Sequence, residues 1–275
     1  PAVISISKKK VLFDRHERFE IIESLLARLF IAFEKIFIRG LSACAYTVEA
    51  EKEYLKKIGY KHLAYVPNFQ SEKTFAKAQS DLRRTGNEQR HLVYIGSLSN
   101  YDRNITLLLD VFEQAMDARN DIRCTLGGKA SDATIIQRIE ALQRKHPERF
   151  EFLGYCTHDI VVQKSIESDI GFLFFRDFPN TRYSSPNKLY EYLLSGTIFV
   201  GVGKFILENE IVENGAGFIF DFDTECNELL KTIFSLCDDI ERLNQMKQNA
   251  IKLGGNYTWE HVENRYIELY QAMLQ

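Results

Sequence analysis

Residues 170–202 read IGFLFFRDFPNTRYSSPNKLYEYLLSGTIFVGV. The stretch begins and ends with short apolar runs, and a helical pattern between them starts after Pro186 and stops at Gly196. Runs that are apolar throughout predict strands of a parallel sheet, because helices cover such strands on both faces. The stretch is therefore predicted to be a strand, a helix and a second parallel strand, joined by a right-handed crossover.

The same alternation of strand and helix runs along the whole chain. Such alternation predicts an α/β protein with doubly wound parallel sheets. Helical patterns follow most of the predicted strands, which lie at 10–13, 43–48, 62–66, 92–96, 122–127, 150–154, 170–175, 197–202 and 217–220.

A polar stretch at 69–90 is the best candidate for a linker between two Rossmann-like domains. We expect a partial first domain at 1–85, since only three strands precede the linker. A complete second domain is expected at 86–255. The helix at 256–275 is expected to pack back on the first domain.

Composition describes an ordinary globular protein of 275 residues, with 45% hydrophobic and 27% charged residues. The net charge of −3 gives no electrostatic reason to expect nucleic acid as a partner. The five cysteines form no C-x-x-C pair and the histidines lack ligand spacing, so we expect reduced thiols, no metal site and a cytoplasmic protein. No signal peptide and no membrane-spanning run is visible.

Glycine and polar residues follow several predicted strands, which is where ligands bind in open α/β sheets. Gly96 and Ser97 end one strand, and Arg103 precedes Asn104, a plausible N-cap. Neither a G-x-G-x-x-G fingerprint nor a P-loop is present, so a phosphorylated ligand of another kind is expected. On position alone, Arg103 fits a phosphate-binding cation and a solvated loop residue about equally well.

The start of the helix after Pro186 offers a second phosphate site. The N–H groups of Asn187 and Lys188 lack partners within the helix and could hold phosphate oxygens. Glu191, one turn further, could accept hydrogen bonds from vicinal hydroxyls. A glutamate that only stabilises the helix dipole, by about 0.3–1 kcal/mol, would have the same spacing.

The ordered set of motifs resembles GT-B glycosyltransferases of family 4 (group 1) along nearly the whole chain. The motifs are VLFDRHERFE, ACAYTVEAEKEYLKKIG, HLAYVPNF, YIGSL, LGG, FLGY, ESDIGFLFF, SSPNKLYEYLLSGTIFVGVG, ENGAGFIFD and YTWEHVENRYIELYQAM. The resemblance implies transfer, with retention, of a glycosyl group from a UDP- or GDP-linked sugar to a hydroxyl of a carbohydrate or lipid-linked saccharide. It implies no further cofactor and no metal held by an Asp-x-Asp motif.

The resemblance also assigns roles to particular residues. Glu191 matches the residue that binds the ribose, and Arg103 matches the cation that holds the diphosphate beside Gly96 and Ser97. Residues 186–188 match the loop that meets the donor phosphates and sugar. His16 matches the histidine of the first domain that faces the reacting sugar, and is the candidate catalytic residue.

Departures from the family pattern leave alternatives open. Tyr183 replaces the first glutamate of the E-x7-E motif, and Ser97 stands where the family often has arginine. The front half of the first domain is not in the chain, so a non-catalytic nucleotide- or sugar-binding partner and a sugar-nucleotide epimerase are the competing hypotheses. The helical pattern at 17–39 suits peripheral membrane binding, although a helix that covers the sheet is the more common reason for such a pattern.

Overall fold

The structure is a computed structural model, which describes residues 11–16, 25, 28–29, 31–32, 43–81, 89–178, 181 and 185–274. Within these ranges the strands form two separate parallel sheets. The strands are β1 (Leu12–Arg15), β2 (Ala43–Tyr46), β3 (His62–Tyr65), β4 (Arg90–Ile95), β5 (Ile122–Gly127), β6 (Phe150–Phe152), β7 (Ile170–Phe174), β8 (Ile198–Val202) and β9 (Gly217–Phe220).

The helices connect the strands as the alternating pattern predicts. Those with described bounds are α1 (Lys52–Ile58), α2 (Glu72–Asp81), α3 (Ile105–Ala118), α4 (Ala133–Lys145), α5 (His158–Glu167), α6 (Asn187–Ser195), α7 (Glu208–Glu213), α8 (Cys226–Asp238), α9 (Ile240–Gly254) and α10 (Trp259–Leu274).

The larger sheet has six strands in the order β6-β5-β4-β7-β8-β9, and every neighbouring pair is parallel. All residues of β7 and β8 are buried. Helix α3 packs with α4 and α8, whereas α6 packs with α5 and α9, which gives a helix layer on each face. The expectation of a doubly wound α/β fold is confirmed. The strand order reverses between β4 and β7, and such a switch point is where open sheets bind ligands.

Close contacts to glycine fix helix α6 beside this switch point. Pro186 is its N-cap, with φ −74° and ψ 139°, and Gly196 ends it in the left-handed conformation at φ 69°. A Cβ atom at Gly171 of β7 would lie 2.7 Å from the Tyr192 ring, and one at Gly254 of α9 would lie 2.9 Å from the Leu193 backbone. Helix α6 therefore packs closely against both β7 and α9, and this packing fixes its position over the sheet.

The smaller sheet has the order β1-β2-β3. One face packs on helix α10, and the residues of this cluster are Ala43, Ala45, Val66, Val262, Leu269 and Met273. On the other face Cys44 and Tyr46 pack with Leu55 and Tyr60. At the end of β1, Arg15 forms a buried ion pair with Glu51 at 3.3 Å.

Three details differ from the sequence expectations or lie beyond them. Helix α2 occupies much of the stretch predicted as a linker, because Phe75 buries its side chain against Val162, Ile166 and Leu194 of the second domain. Strand β1 begins two residues later than predicted. Most of the helix expected at 17–39, and also Tyr183, lie outside the described residues.

No helix in the described ranges combines the length and the apolar character needed to cross a membrane.

Candidate active site

Glycine residues leave the backbone without side chains at the carboxyl edge of the larger sheet, beside the switch point. The N–H of Gly96 donates to the carbonyl of Gly127 at 2.9 Å, and the N–H of Gly128 donates to Gly154 at 2.6 Å. At Gly128, φ is +138° and a Cβ atom would lie 1.8 Å from the carbonyl oxygen of Gly96. Only glycine fits this position, because any side chain would collide with the neighbouring strand end. The ends of β4 and β5 can therefore lie close together without side chains between them.

Lys188 extends from the first turn of α6 over the end of β4. A Cβ atom at Gly96 would lie 2.6 Å from Cε of Lys188. The glycine at 96 therefore makes space for the lysine side chain. Asn187, the first residue of the helix, is exposed, while the Lys188 side chain is 16% exposed.

Glu191 and Lys188 form a loose, buried pair. Their Oε2 and Nζ atoms are 3.7 Å apart, and the Glu191 side chain is 7% exposed. Among the residues that the structure describes, none makes a hydrogen bond to the buried Oε2 atom. Burial lowers the pKa of Lys188, the charge of Glu191 opposes that shift, and the charge of Arg103 adds to it. A carboxylate oxygen that is buried without a donor is costly, and a ligand hydroxyl would satisfy it.

Arg103 supplies a second cation at the same edge. Its guanidinium lies 4.3 Å from the centre of the Phe175 ring, at the end of β7, and pairs with Asp102 at 2.5 Å. The next residue, Asn104, caps α3 by accepting a hydrogen bond from the N–H of Leu107 at 3.3 Å. Arg103 is therefore held at the switch point, with 21% of its side chain exposed.

Ser97 contributes its backbone more than its side chain to this arrangement. Its carbonyl accepts a hydrogen bond of 2.7 Å from the buried Tyr94 hydroxyl, and its side chain is exposed. Burial raises the pKa of that tyrosine far above its ordinary value, so the hydroxyl stays protonated and donates. The loop between β4 and α3 thus begins at a fixed point.

His16 lies in an adjoining cleft and not in the Lys188 cluster. The cleft has a volume of about 400 Å³ and is lined by the ends of β1 and β3, by Asn187 and by helix α10. The imidazole Nε2 lies 3.2 Å from Oδ1 of Asp14, and both side chains are about half exposed. The structure therefore brings His16 and Asn187 to one cleft, and it groups Gly96, Lys188 and Glu191 on the other side of the first turn of α6.

Sequence reasoning missed the parts of this cleft that come from distant segments. The sequence assigns no role to Asp14 or Tyr266, yet both line the cleft with His16. No spacing signal could connect residues about 250 positions apart. In the described part of the chain, no group of three or more His, Cys, Asp or Glu side chains could hold a metal ion.

Comparison with protein families explains the motif order. Residues 89–239 match the model of the family described as glycosyl transferases, group 1. The chain belongs to this family. The matched range covers the whole of the six-stranded sheet, with the switch point, the Lys188 and Glu191 cluster and Arg103. No curated protein sequence matches the chain significantly.

Solved structures of other glycosyltransferases share the fold at low sequence identity. Sucrose-phosphate synthase from Thermosynechococcus elongatus matches with a TM-score of 0.67 and 18% identity, over 96% of this chain and 67% of that one. HepE of Anabaena, in complex with UDP-glucose, matches with a TM-score of 0.72 and 16% identity, over 96% and 73%.

TarM of S. aureus, in complex with Fondaparinux, alpha-GlcNAc-glycerol and UDP, matches with a TM-score of 0.66 and 14% identity. The match covers 89% of this chain and 46% of the TarM chain. The GT-B type of fold expected from the sequence is confirmed, and this chain spans only part of the length of each of these structures.

Proposed function

We propose that the chain binds a nucleotide sugar at the carboxyl edge of the six-stranded sheet and transfers the glycosyl group, with retention, to an acceptor hydroxyl. The observation that carries the proposal is the buried Oε2 atom of Glu191, which receives no hydrogen bond from any described residue and lies beside Lys188 above Gly96. Ribose hydroxyls would donate to this oxygen, and the diphosphate would accept from the lysine.

The charges at the edge fit the chemistry of the leaving group. When the bond between the anomeric carbon and the diphosphate oxygen breaks, the electron pair stays with the diphosphate and its negative charge grows. Arg103, Lys188 and the first N–H groups of α6 would stabilise this charge more in the transition state than in the ground state. The acceptor oxygen forms the new bond on the same face, and its proton passes to the departing diphosphate.

His16 completes the proposed site from the first domain. It lines the cleft that Asn187 borders from the opposite side, so a sugar held by the 186–188 loop would meet the imidazole there. A hydrogen bond from a sugar hydroxyl to His16 would orient the sugar for attack, and orientation of this kind lowers the barrier without new covalent chemistry.

Donor, acceptor and place of action are also part of the proposal. The complexes of HepE with UDP-glucose and of TarM with UDP support a UDP-linked donor over a GDP-linked one. The TarM complex with alpha-GlcNAc-glycerol supports a carbohydrate-containing acceptor. We propose that the protein acts in the cytoplasm, in assembly of polysaccharide or glycoconjugate, with lipid-linked acceptors reached by peripheral association with the membrane.

The test is calorimetric titration of this chain with UDP, GDP, ADP and dTDP. We expect UDP to bind best, and Glu191→Gln to weaken UDP by about 10- to 100-fold, the usual size of a lost hydrogen bond to a charged group. Arg103→Met should weaken UDP more than uridine, because uridine has no diphosphate. Glu213→Gln, which changes an exposed glutamate of α7, is the matched control and should leave binding unchanged.

A second ligand separates the ribose contact from a general loss of binding. Wild-type protein should prefer UDP to 2′-deoxy-UDP, and Glu191→Gln should shrink that preference, because the hydroxyl and the carboxylate are partners. If no nucleotide binds, or if Glu191→Gln binds UDP like the wild type, the proposed donor site is wrong.

A further inference from the structure

The cleft that contains His16 is built from three distant segments of the chain. Asp14 and His16 come from the end of β1, Asn187 comes from the start of α6, and Trp259 and Tyr266 come from α10. Helix α10 is held firmly against the first sheet, because Val262 and Leu269 pack in one cluster with Ala43 and Ala45 of β2. The last helix therefore forms one wall of the candidate active site.

The short distance between His16 and Asp14 favours one tautomer of the imidazole. The carboxylate can only accept, so a hydrogen bond across the 3.2 Å between Nε2 and Oδ1 requires the hydrogen on Nε2. In a neutral imidazole the other nitrogen, Nδ1, then keeps its lone pair and can only accept a hydrogen bond. This state suits a site that receives a hydroxyl of a sugar, since a hydroxyl can donate.

Tyr266 lines the same cleft as Asp14 and His16. Burial, and next the nearby charge of Asp14, raise the pKa of the Tyr266 phenol to about 12. The phenol therefore keeps its proton near neutral pH and can donate to Asp14. Its ring lies 6.2 Å from that of Trp259 and 5.3 Å from that of Tyr270, which limits its movement.

We propose that Asp14 and Tyr266 are positioning residues that hold His16 in the Nε2–H tautomer and so leave Nδ1 as the acceptor for a ligand hydroxyl in the cleft. Asp14 orients the imidazole directly, and Tyr266 holds Asp14. The inference rests on the proposed function only for the identity of the hydroxyl, which would belong to the transferred sugar. The arrangement also gives the last helix a role in the site besides packing.

Long-range ¹H–¹⁵N NMR of the labelled chain at pH 8 tests the proposal, because it distinguishes the tautomers of neutral imidazoles. We expect the His16 signals, assigned by their loss in His16→Gln, to show Nε2–H alone. Asp14→Asn should convert a measurable part of this signal to the other tautomer or to an exchange average, since an amide can donate as well as accept. Tyr266→Phe should produce a smaller change in the same direction.

Tyr155→Phe is the matched control, because it removes an exposed phenol that does not line the cleft. It should leave the His16 tautomer as in the wild type. The signals of the other five histidines report whether each variant is folded. A wild-type His16 with hydrogen on Nδ1, or a Tyr266→Phe spectrum identical to the wild type, would overturn the proposal.

This outcome is separate from that of the nucleotide titrations. If the His16 tautomer behaves as expected and no nucleotide binds, the proposed function fails and the positioning of His16 stands. If UDP binds through Glu191 and the tautomer does not respond to Asp14 or Tyr266, the positioning proposal alone is wrong.

Discussion

The two sheets differ in how they hold their polar residues. In the six-stranded sheet the central strands are buried on both faces, and Glu191 and Lys188 lie inside this dense region. In the three-stranded sheet β3 is only partly buried, and the apolar residues form two small clusters, one on each face. His16 is half exposed and lies in a cleft that the last helix also lines.

The difference suggests a division of tasks between the two parts of the site. A pair of charges inside a well-packed layer keeps its geometry without a ligand, which is what a binding site for a diphosphate and a ribose needs. A histidine on a smaller sheet needs support from outside that sheet. We therefore expect the first part to depend on the packing of its own core. The second part should respond to changes at the joint between the sheets, where Glu260 of α10 contacts Ser71 and Glu72.

The largest expected effect concerns the aromatic core of the six-stranded sheet. Phe172 lies between Phe112 and Phe174, with ring centres 5.6 and 5.5 Å away. Phe172→Ala should lower the free energy of unfolding by about 3–5 kcal/mol, whereas Leu55→Ala in the smaller cluster should lower it by about 2–3 kcal/mol. Urea titrations followed by circular dichroism measure both.

Phe172→Leu serves as the conservative control, since it removes fewer atoms and leaves a smaller cavity. Phe172→Leu should lower the free energy of unfolding by much less than Phe172→Ala. A loss that is greater for Leu55→Ala than for Phe172→Ala would mean that the smaller sheet is the better packed of the two.

The second prediction concerns acid sensitivity of the six-stranded sheet. His91 of β4 is buried, with Nε2 2.7 Å from the Thr125 hydroxyl and Nδ1 3.2 Å from the Glu167 carbonyl oxygen. Burial, with help from the charge of Arg123, lowers its pKa from 6.5 to about 4. The fold favours the neutral ring, so this stability is fully present above pH 6.5 and is lost as the pH falls towards 4.

Between pH 6.5 and 4 the free energy of unfolding should fall by up to about 3 kcal/mol. Unfolding in urea at several pH values between 4 and 7.5 measures it. His91→Gln should flatten the slope, and Thr125→Ser, which keeps the hydroxyl, should preserve it. An unchanged slope in His91→Gln would place the acid sensitivity elsewhere, since Asp169, Glu151 and Lys164 surround the same ring.

The smallest expected effect lies at the joint between the two sheets. Glu260 of α10 accepts a hydrogen bond of 2.7 Å from the Ser71 hydroxyl and one of 3.1 Å from the N–H of Glu72. Burial favours the protonated form of this carboxyl, but these hydrogen bonds outweigh it and lower the pKa to about 2. Glu260→Gln should lower the free energy of unfolding by about 1 kcal/mol, the usual net contribution of one hydrogen bond.

Unfolding of the wild type and of Glu260→Gln in urea can be followed by the fluorescence of Trp259, the single tryptophan, which is next to Glu260 in the chain. Glu263→Gln, an exposed change one turn further on α10, is the matched control. If Glu260→Gln leaves the unfolding curve unchanged, the joint relies on apolar contacts such as that of Phe69 with Tyr190, whose rings are 4.8 Å apart.

Much of the fold could be predicted because strand and helix signals are local. The predicted strands at 122–127 and 217–220 match the structure to the residue. Helix α2 was missed because the residues around Phe75 are polar, and only the pocket formed by Val162, Ile166 and Leu194 makes that one aromatic side chain a core residue. A single buried residue gives no periodic signal.

The candidate site also has a part that the sequence predicts and a part that only the structure reveals. Lys188 and Glu191 are three positions apart on one helix, so the sequence places them together, and the structure adds that Gly96 makes room for the lysine. Their roles in binding stay predictions. The alternation of apolar runs and the ordered motifs by themselves determined the parallel α/β fold and the family, because both depend on neighbours along the chain. Only the tertiary structure decided that Tyr266 lines one cleft with Asp14 and His16, because that placement depends on how the last helix packs back on the first sheet.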